Sequence, residues 1–455
     1  SGADYVSWSF HKQAGFFDVV TYTGNGTAGR TVSHNLNSVP GMIIVKRTDS
    51  TNGWAVYHRA MDSSSPQNYM ARLNALDARF SADRWNNTAP TSTVFTLGDN
   101  DEVNGSGATY VAYLFAHDDQ SFGDDSDEAI IKCGSFSGTG QVDVGFEPQF
   151  IIYKPYSQTY RWVLVDNMRG LDGVNTTREL NPNTSDAESD GGSININATG
   201  FNNGSLGASH PCIYIAIRRP MKTPEAGTEV FNVNYHGSTG DSAIPAHRTT
   251  FPVDMFLWKD VTNAGNDQDW YGLDRLRGMT GSTALHTNAT DAESADPYPS
   301  SWRGFDLMNG VIKNTSTIDY YYAWMFKRAT GFFDVVCFDG VNGATAFDHG
   351  LTVVPEMMIV KKRSATSDWT VYHTGYPTPT TNQGALNLTG GSYANASFST
   401  IPTSTQFTFN AYSTGTQVAY LFATLAGVSK VGSVVHSGTT NVDCGFSAGA
   451  RFVMA

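Results

Sequence analysis

The sequence predicts an all-β protein built as a tandem array of about four antiparallel β-sandwich repeats, each of about 100 residues and of the jelly-roll or lectin-like kind. Its apolar segments are short, rich in Val, Ile, Phe and Thr, and bounded by Gly, Asn, Asp and Pro. No stretch keeps helical apolar spacing for a dozen residues. One set of phrases also recurs along the chain, as tandem repeats do.

The recurring phrases have a fixed order. Each predicted repeat has a proline-led apolar strand that ends in lysine, then a strand that begins with tryptophan, and finally an aromatic closing strand. The lysines are Lys46, Lys154, Lys259 and Lys361, and the tryptophans are Trp54, Trp162, Trp270 and Trp369. The closing strands cover 110–116, 212–218, 320–326 and 417–423. Because the four tryptophans follow one pattern, we predict that each lies in the core of its own repeat.

These phrases predict the domain boundaries. A closing strand of a preceding, truncated repeat covers 1–13, and the truncated start of a fifth repeat covers 427–455, so we expect a fragment of a longer array. The predicted repeats cover 14–118, 129–221, 222–328 and 329–426, with an acidic linker at 119–128. Short, stiff or charged links favour a strung, rod-like array. A propeller with two blades in each repeat is the alternative, since one blade needs only about 40–50 residues.

Composition and charge exclude several classes of function. A net charge of −13 argues against nucleic-acid binding, which needs clustered Lys and Arg. No apolar run approaches the ~20 residues of a membrane span, so we expect no membrane insertion. The 4 cysteines form no CxxC pair, which makes zinc improbable. Cys133 and Cys212 lie in one predicted repeat; buried free thiols are the preferred interpretation and a disulfide is the alternative.

The acidic linker holds the candidate metal ligands. They are Asp124, Asp125, Asp127 and Glu128. Their spacing departs from the calcium-loop pattern, so a solvated linker is the preferred interpretation. We expect no cofactor, and Ca²⁺ at this linker is the alternative that remains open.

The sequence favours a protein that is not an enzyme. It contains none of the GxSxG, HExxH or glycine-rich phosphate motifs. His58 and His373 match Asp166 and Asp274 in the other predicted repeats, and such a recurring position indicates a structural or surface role.

Aromatic residues outside the repeat pattern are the candidate binding residues. An apolar ring flanked by Asn and Asp can stack on a sugar. The candidates for carbohydrate binding are Tyr156, Tyr160, Tyr298 and Trp302.

The repeat phrases resemble those of a known family. They include GFFDVVTYTGNGTAGRTVSHNLNSVPGMIIVKR, RWNNTAPTSTVFTLG, VNGSGATYVAYLFAHD and YIAIRRPMKTPEAGTEVF. Together they resemble the tandem repeats of tail-fibre-like virion structural proteins of marine tailed phages, of the cyanophage type. The resemblance implies a β-sandwich appendage located in the virion, usually a homotrimer. It also implies contacts with other virion proteins and with host surface glycans, and it carries over no catalytic residue.

The expected function is therefore a structural segment of a phage tail fibre or another virion appendage, with glycan contact through its loops. An extracellular adhesin or filament subunit of a bacterium or archaeon is the second hypothesis. A polysaccharide-degrading tailspike is the third. Low charge density and small repeats also favour a homo-oligomer, in the first place a trimer.

Overall fold

The computed structural model is all-β. It describes residues 6–123, 128–171, 177–192, 194–203, 210–236, 247–261, 269–278, 284–293, 303–305, 309–313, 321–435 and 438–455. Within these ranges the helical elements are the short 3₁₀ turns Pro66–Asn68 and Gly227–Glu229. No helix in the described part of the chain is long and apolar enough to cross a membrane.

The chain forms two compact units. One contains 1–166 and 178–219, and the other contains 167–177 and 220–455. Except for the strand residue Thr177, the strands of predicted repeats 1 and 2 lie in the first unit, and those of repeats 3 and 4 lie in the second. The exact boundaries of the four repeats stay a prediction.

Repeat 1 is a sandwich of a six-stranded and a two-stranded antiparallel sheet. The large sheet has the order β1-β8-β3-β4-β5-β6, and β2 pairs with β7. The strands are β1 (Phe17–Thr23), β2 (Arg30–Ser33), β3 (Met42–Arg47), β4 (Trp54–His58), β5 (Tyr69–Arg72), β6 (Phe80–Ser81), β7 (Val94–Leu97) and β8 (Thr109–Phe115).

Repeat 2 has a four-stranded sheet, a three-stranded sheet and a hairpin, in the orders β12-β11-β17-β9, β10-β16-β15 and β13-β14. The strands are β9 (Ile131–Phe136), β10 (Gln141–Asp143), β11 (Pro148–Pro155), β12 (Val163–Asp166), β13 (Thr177–Glu179), β14 (Ser189–Gly192), β15 (Asn195–Asn197), β16 (Gly200–Asn202) and β17 (Cys212–Arg218).

Repeat 3 has a five-stranded sheet, β18-β25-β20-β21-β22, and a three-stranded sheet, β19-β24-β23. The strands are β18 (Phe231–His236), β19 (His247–Arg248), β20 (Met255–Asp260), β21 (Trp270–Asp274), β22 (Leu285–His286), β23 (Arg303–Phe305), β24 (Gly310–Lys313) and β25 (Tyr321–Phe326).

Repeat 4 repeats the plan of repeat 1. A six-stranded sheet, β26-β33-β28-β29-β30-β31, packs against the pair β27-β32. The strands are β26 (Phe333–Gly340), β27 (Gly343–Asp348), β28 (Met357–Lys362), β29 (Trp369–His373), β30 (Asn382–Ala385), β31 (Tyr393–Ala394), β32 (Gln406–Ala411) and β33 (Gly415–Phe422).

The lysine strand and the tryptophan strand pair in one register in every repeat. The lysine lies opposite the tryptophan in the pairs Lys46–Trp54, Lys259–Trp270 and Lys361–Trp369. In repeat 2 the register of β11 and β12 ends with Tyr153 opposite Val163, so Lys154 and Trp162 occupy the next position of the same alignment. Residues that are directly opposite across an antiparallel ladder share one face of the sheet. The predicted equivalence of the four tryptophan strands is therefore confirmed.

The core of the first unit extends through both of its repeats. A single apolar cluster joins residues of the repeat 1 sandwich, such as Val45 and Phe95, to Trp162 and Ile215 of repeat 2. Ile151, Tyr153 and Val163, on the other face of the large sheet of repeat 2, are buried as well, so this sheet is buried on both faces.

The two terminal segments do not form the strands predicted for them. Residues 6–12 and all described residues after Phe422 belong to none of the strands β1 to β33. Tyr5 is not among the residues that the structure describes. Neither segment forms a β-ladder with another strand, so neither gains the hydrogen bonds that define one. Each is held instead by an aromatic contact. The ring of Phe10 lies 5.9 Å from that of Phe150, and the ring of Phe452 lies 5.8 Å from that of Phe326.

Candidate interaction surface

Within the first unit, a loop of repeat 1 contacts the large sheet of repeat 2. The indole Nε1 of Trp162 donates to the Arg72 carbonyl at 2.8 Å. The Lys154 ammonium donates to the Leu76 carbonyl at 3.2 Å and to the carbonyl of Tyr160, in its own repeat, at 2.5 Å. Trp162 is 1% exposed and Lys154 is fully buried. The lysine and the tryptophan therefore hold repeat 2 against the loop of repeat 1.

Two backbone hydrogen bonds complete this junction. The Tyr160 amide donates to the Leu76 carbonyl, and the Arg79 amide donates to the Tyr156 carbonyl, both at 2.8 Å. Leu76 thus accepts from one backbone and one side-chain donor. Backbone contacts of this kind depend on loop conformation rather than on side-chain identity.

The second unit contains the same junction between repeats 3 and 4. The Trp369 indole donates to the His286 carbonyl at 2.9 Å, and the Lys361 ammonium donates to the Thr290 carbonyl at 3.2 Å. The Ser367 amide also donates to Thr290, at 2.8 Å. The two loop acceptors are four residues apart and the lysine and tryptophan donors are eight residues apart in both units, so the contacts join equivalent positions.

The fourth contact is also repeated. The Glu293 amide donates to the Arg363 carbonyl at 2.7 Å, as Arg79 does to Tyr156.

We call residues 72–79, 286–293 and 385–392 the asparagine loops. We call a second surface the docking face of a repeat. It consists of the lysine, the tryptophan and two side chains of the closing strand, all on the same side of the large sheet. The docking faces of repeats 1, 2 and 4 are Lys46, Trp54, Val111 and Tyr113; Lys154, Trp162, Ile213 and Ile215; and Lys361, Trp369, Val418 and Tyr420.

One asparagine in each loop fixes its conformation. Its side-chain oxygen accepts the backbone N–H of the strand tryptophan of the same repeat, at 2.9 Å for Asn74, Asn288 and Asn387. Asn183 makes the same bond in repeat 2, at 2.8 Å. An asparagine side chain that bonds to nearby backbone stabilises a turn. The turn holds the loop in a defined conformation. In repeats 1 and 3 the donors of the next repeat bond to two loop carbonyls, one two residues before the asparagine and one two residues after it.

The docking faces of repeats 2 and 4 are buried. Ile213 and Ile215 are 0% and 2% exposed, and Val418 and Tyr420 are 0% and 1% exposed. Transfer of such apolar surface from water stabilises an interface by roughly 25 cal/mol per Å². The lysine and tryptophan donors then fix the position of this apolar contact.

Burial also changes the acidity of the two docking lysines. Desolvation lowers the pKa of Lys154 to about 8, and it lowers the pKa of Lys361 to about 8 as well. Burial disfavours the charged amine, and attraction to nearby carboxylates compensates only in part, from Asp77 for Lys154 and from Asp291 and Asp368 for Lys361.

Each junction adds side-chain pairs of its own. In the first unit the Arg79 guanidinium lies 5.0 Å from the Tyr156 ring centroid. At the equivalent positions of the second unit, Arg363 forms an ion pair with Glu293 at 2.5 Å. Arg277 and Asp274 form a fully buried ion pair beside it, also at 2.5 Å. The shared hydrogen bonds position the repeats, and these pairs distinguish one junction from the other.

The predicted burial of the tryptophans is confirmed for Trp162 and Trp369, but the prediction that each lies in the core of its own repeat is wrong. Trp162 and Trp369 lie between repeats and donate to a neighbouring one, while Trp54 and Trp270 are half-buried. A strand has two faces, and apolar periodicity does not indicate whether the outer face meets solvent or another domain.

The structure places two of the four sugar-binding candidates at the first junction. Tyr156 is half-buried beside Arg79, and the Arg161 guanidinium lies 5.3 Å from the half-buried Tyr160 ring. Tyr298 and Trp302 lie outside the described residues. The carbohydrate role of these four residues stays a prediction.

Most of the metal candidates also lie outside the described ranges. Asp124, Asp125 and Asp127 are not described, and Glu128 forms an ion pair with Arg218 at 2.7 Å. Within the residues that the structure describes, no group of three or more His, Cys, Asp or Glu side chains could hold a metal ion.

The preferred interpretation of the cysteines is confirmed. Cys133 and Cys212 are buried and free. In the β9–β17 ladder Cys133 lies opposite Ile215 and Cys212 lies opposite Phe136, so the two cysteines are not paired with each other.

Sequence reasoning missed the asparagine loops. Their signal was an asparagine that recurs 18–21 residues after each strand tryptophan. That spacing was hidden because the loop sequences around it differ and because the contacts use backbone carbonyls.

Fold and junctions define the class of this protein, a tandem β-sandwich repeat protein in which the two repeats of each compact unit dock by one recurring contact. A comparison with protein families matches residues 3–213 and 227–454 to a family described as a domain of unknown function, DUF7483. Because the two matches cover nearly the whole chain, the chain belongs to this family. A search of curated proteins found no match.

Proposed function

We propose that this protein is a non-enzymatic structural segment of a phage tail fibre or a related virion appendage. The observation that carries the proposal is the junction that occurs twice, with four hydrogen bonds at equivalent positions. An array needs this kind of contact, because each repeat must hold its neighbour in one arrangement. The resemblance of the repeat phrases to tail-fibre-like proteins supports the virion as its place.

The proposal includes assembly and host contact. We propose a homotrimer that binds other virion proteins, with loops that contact host surface glycans. Support comes from the low charge density and from polar loops that carry aromatic residues. Light scattering of the purified chain measures the assembly, and a glycan array measures the contact.

Immunogold electron microscopy tests the location. An antibody raised against this chain is applied to purified particles of a phage whose genome encodes it. We expect gold on the tail or its appendages in intact particles, and pre-absorption of the antibody with the purified chain is the control. Label that is absent from particles and present on the surface of the producing cell would contradict the proposal and support an adhesin.

A second measurement tests the absence of catalysis. The purified chain is incubated with host surface polysaccharide, and newly formed reducing ends are quantified over time. We expect no more ends than in a heat-denatured sample. A rise that depends on the folded chain would identify a polysaccharide-degrading tailspike instead.

A further inference from the structure

The docking face of repeat 1 has the same chemistry as the two docked faces and is only half-buried. Lys46 precedes Trp54 by eight residues, the same spacing as in repeats 2 and 4. Trp54, Val111 and Tyr113 are half-buried, whereas their counterparts in repeats 2 and 4 are at most 2% exposed. The indole of Trp54 stacks on Tyr113, as that of Trp369 stacks on Tyr420. The face is therefore already formed.

The lysine of this face bonds within its own repeat. Lys46 donates to the carbonyls of Asn52, at 2.6 Å, and Ser50, at 3.0 Å. The Asn52 bond corresponds to the one that Lys154 makes with Tyr160. The Ser50 bond takes the place of the bond that Lys154 makes with the loop of the neighbouring repeat.

The asparagine loop of repeat 4 has the conformation of a docking loop. Asn387 accepts the Trp369 amide and donates to Asp368 at 2.8 Å, the same two bonds that Asn288 makes with Trp270 and Asp269. The Leu386 amide donates to the Trp369 carbonyl, as Thr287 does to Trp270. Leu388 is 51% exposed. This loop matches the repeat 3 loop that docks repeat 4.

We propose that the asparagine loop of repeat 4 in one copy of this chain docks on the Lys46–Trp54 face of a second copy. The existing junctions define the contacts. Trp54 Nε1 donates to the Ala385 carbonyl, Lys46 Nζ and the Asn52 amide donate to the Thr389 carbonyl, and the Ser392 amide donates to the Thr48 carbonyl. Because face and loop are different surfaces, the contact is head-to-tail and leaves a free face and a free loop on the pair.

The side chains that distinguish the junctions favour this pairing. Ser392 occupies the loop position of Arg79 and Glu293, and Thr48 occupies the face position of their partners Tyr156 and Arg363. Two small neutral side chains would meet there and leave no buried charge unpaired. The repeat 2 loop would instead place Glu188 at this position.

The other loop and the other face fit less well. The loop of repeat 2 is bonded differently, since Pro182 has no amide to donate to the Trp162 carbonyl and the Asn181 side chain donates there instead, at 3.0 Å. In repeat 3 the lysine and the tryptophan are 11 residues apart rather than eight, and residues 262–268 between them lie outside the described ranges. We therefore commit to repeat 1 for the face and to repeat 4 for the loop.

Sedimentation velocity of the full chain tests the proposal, with Trp54→Gln as the face variant and Leu388→Arg as the loop variant. The first removes the indole donor and apolar area, and the second places a cation near Lys46. We expect the wild-type mass to rise with concentration and either variant alone to associate at least tenfold more weakly. An equimolar mixture of the two variants should form a dimer and stop there, because one intact loop meets one intact face.

Two further variants keep the test interpretable. Lys46→Gln leaves Trp54 stacked on Tyr113, so it should weaken association without unfolding repeat 1. Ile401→Glu, at a side chain that is 59% exposed and outside the loop, is the matched control and should associate like the wild type. A wild type that stays monomeric, or an oligomer that persists in both single variants, would overturn the proposal. A monomeric wild type would also contradict the proposed homotrimer, whereas an oligomer that persists in both single variants would leave the homotrimer in place. Neither result would bear on immunogold label at the virion tail, so this inference and the proposed location in the virion fail separately.

Discussion

Replacing Lys154 by methionine should remove a pH dependence of stability that arises at the first junction. Methionine keeps the length and the apolar stem of the side chain and removes its charge. Lys154 is fully buried, and its ammonium donates to carbonyls of Leu76 and Tyr160. The same substitution at Lys361 tests the second junction.

The magnitude follows from the pKa of Lys154, which burial lowers from 10.5 to about 8. A difference of about 2.5 pKa units corresponds to about 3 kcal/mol, at 1.36 kcal/mol for each unit. Between pH 8 and 10.5 the unfolded chain binds the proton that the folded chain has lost. The free energy of unfolding of the wild type therefore rises with pH in this window, relative to the variant. Below pH 8 both states hold the proton, and the difference stays constant.

Urea denaturation followed by tryptophan fluorescence at pH 7, 8, 9 and 10 measures this difference. Subtraction of the variant curve cancels tyrosine and cysteine groups that titrate in the same range. We expect the wild type to gain most of the ~3 kcal/mol by pH 10. Lys46→Met is the matched control, because in a single chain Lys46 is half-buried and contacts only its own repeat, so this variant shows the effect of replacing a lysine by methionine outside a junction. If the curve of Lys154→Met ran parallel to that of the wild type, the ammonium would not be desolvated at the junction.

Two further predictions concern other buried ionisable side chains. Burial lowers the pKa of His58 to about 3 and that of His117 to about 4. Because the unfolded chain binds these protons at higher pH than the folded chain, the first unit should lose stability as pH falls below about 6.5. The variant His58→Gln should reduce the acid-induced fall in the melting temperature of this unit. Arg277→Met would leave the Asp274 carboxylate, which is 0% exposed, without its ion-pair partner and should destabilise the second unit by about 3–5 kcal/mol in denaturant titrations. The double variant Arg277→Met/Asp274→Asn should recover part of that loss, and failure to do so would show that packing rather than charge is responsible.

The sequence was sufficient to predict the fold class, and the reason is local. A proline before an apolar run, a lysine at its end and a tryptophan that opens the next strand fix the strand order and a register in which Lys46 lies opposite Trp54. Alternation and turn residues specify such ladders through short-range interactions. These signals recur four times, so an error in one repeat is corrected by the others.

The candidate surface could be predicted only in part. The pattern identified Lys154 and Trp162 as recurring residues but placed the tryptophan in the core, because period alone does not separate a core face from a face that another domain covers. The loop partners contribute carbonyls of Arg72 and Leu76, and a backbone carbonyl has no signature in the sequence. The strands predicted at the two ends were wrong because an apolar run becomes a strand only beside a partner strand.

The use of lysine at the junction is itself informative about specificity. An apolar side chain at position 154 would avoid the desolvation that lowers the pKa of this lysine to about 8, so stability alone does not explain the amine. The ammonium has three N–H donors, and a correctly docked loop supplies a carbonyl acceptor for one of them. An apolar surface docked in another position would bury the charge without this hydrogen bond. Burial of the apolar face provides the affinity, and the lysine penalises every arrangement except the one in which a loop carbonyl reaches it. The same reasoning applies to Lys361 and, in the proposed contact between copies, to Lys46, so one residue type would set the register of all three contacts.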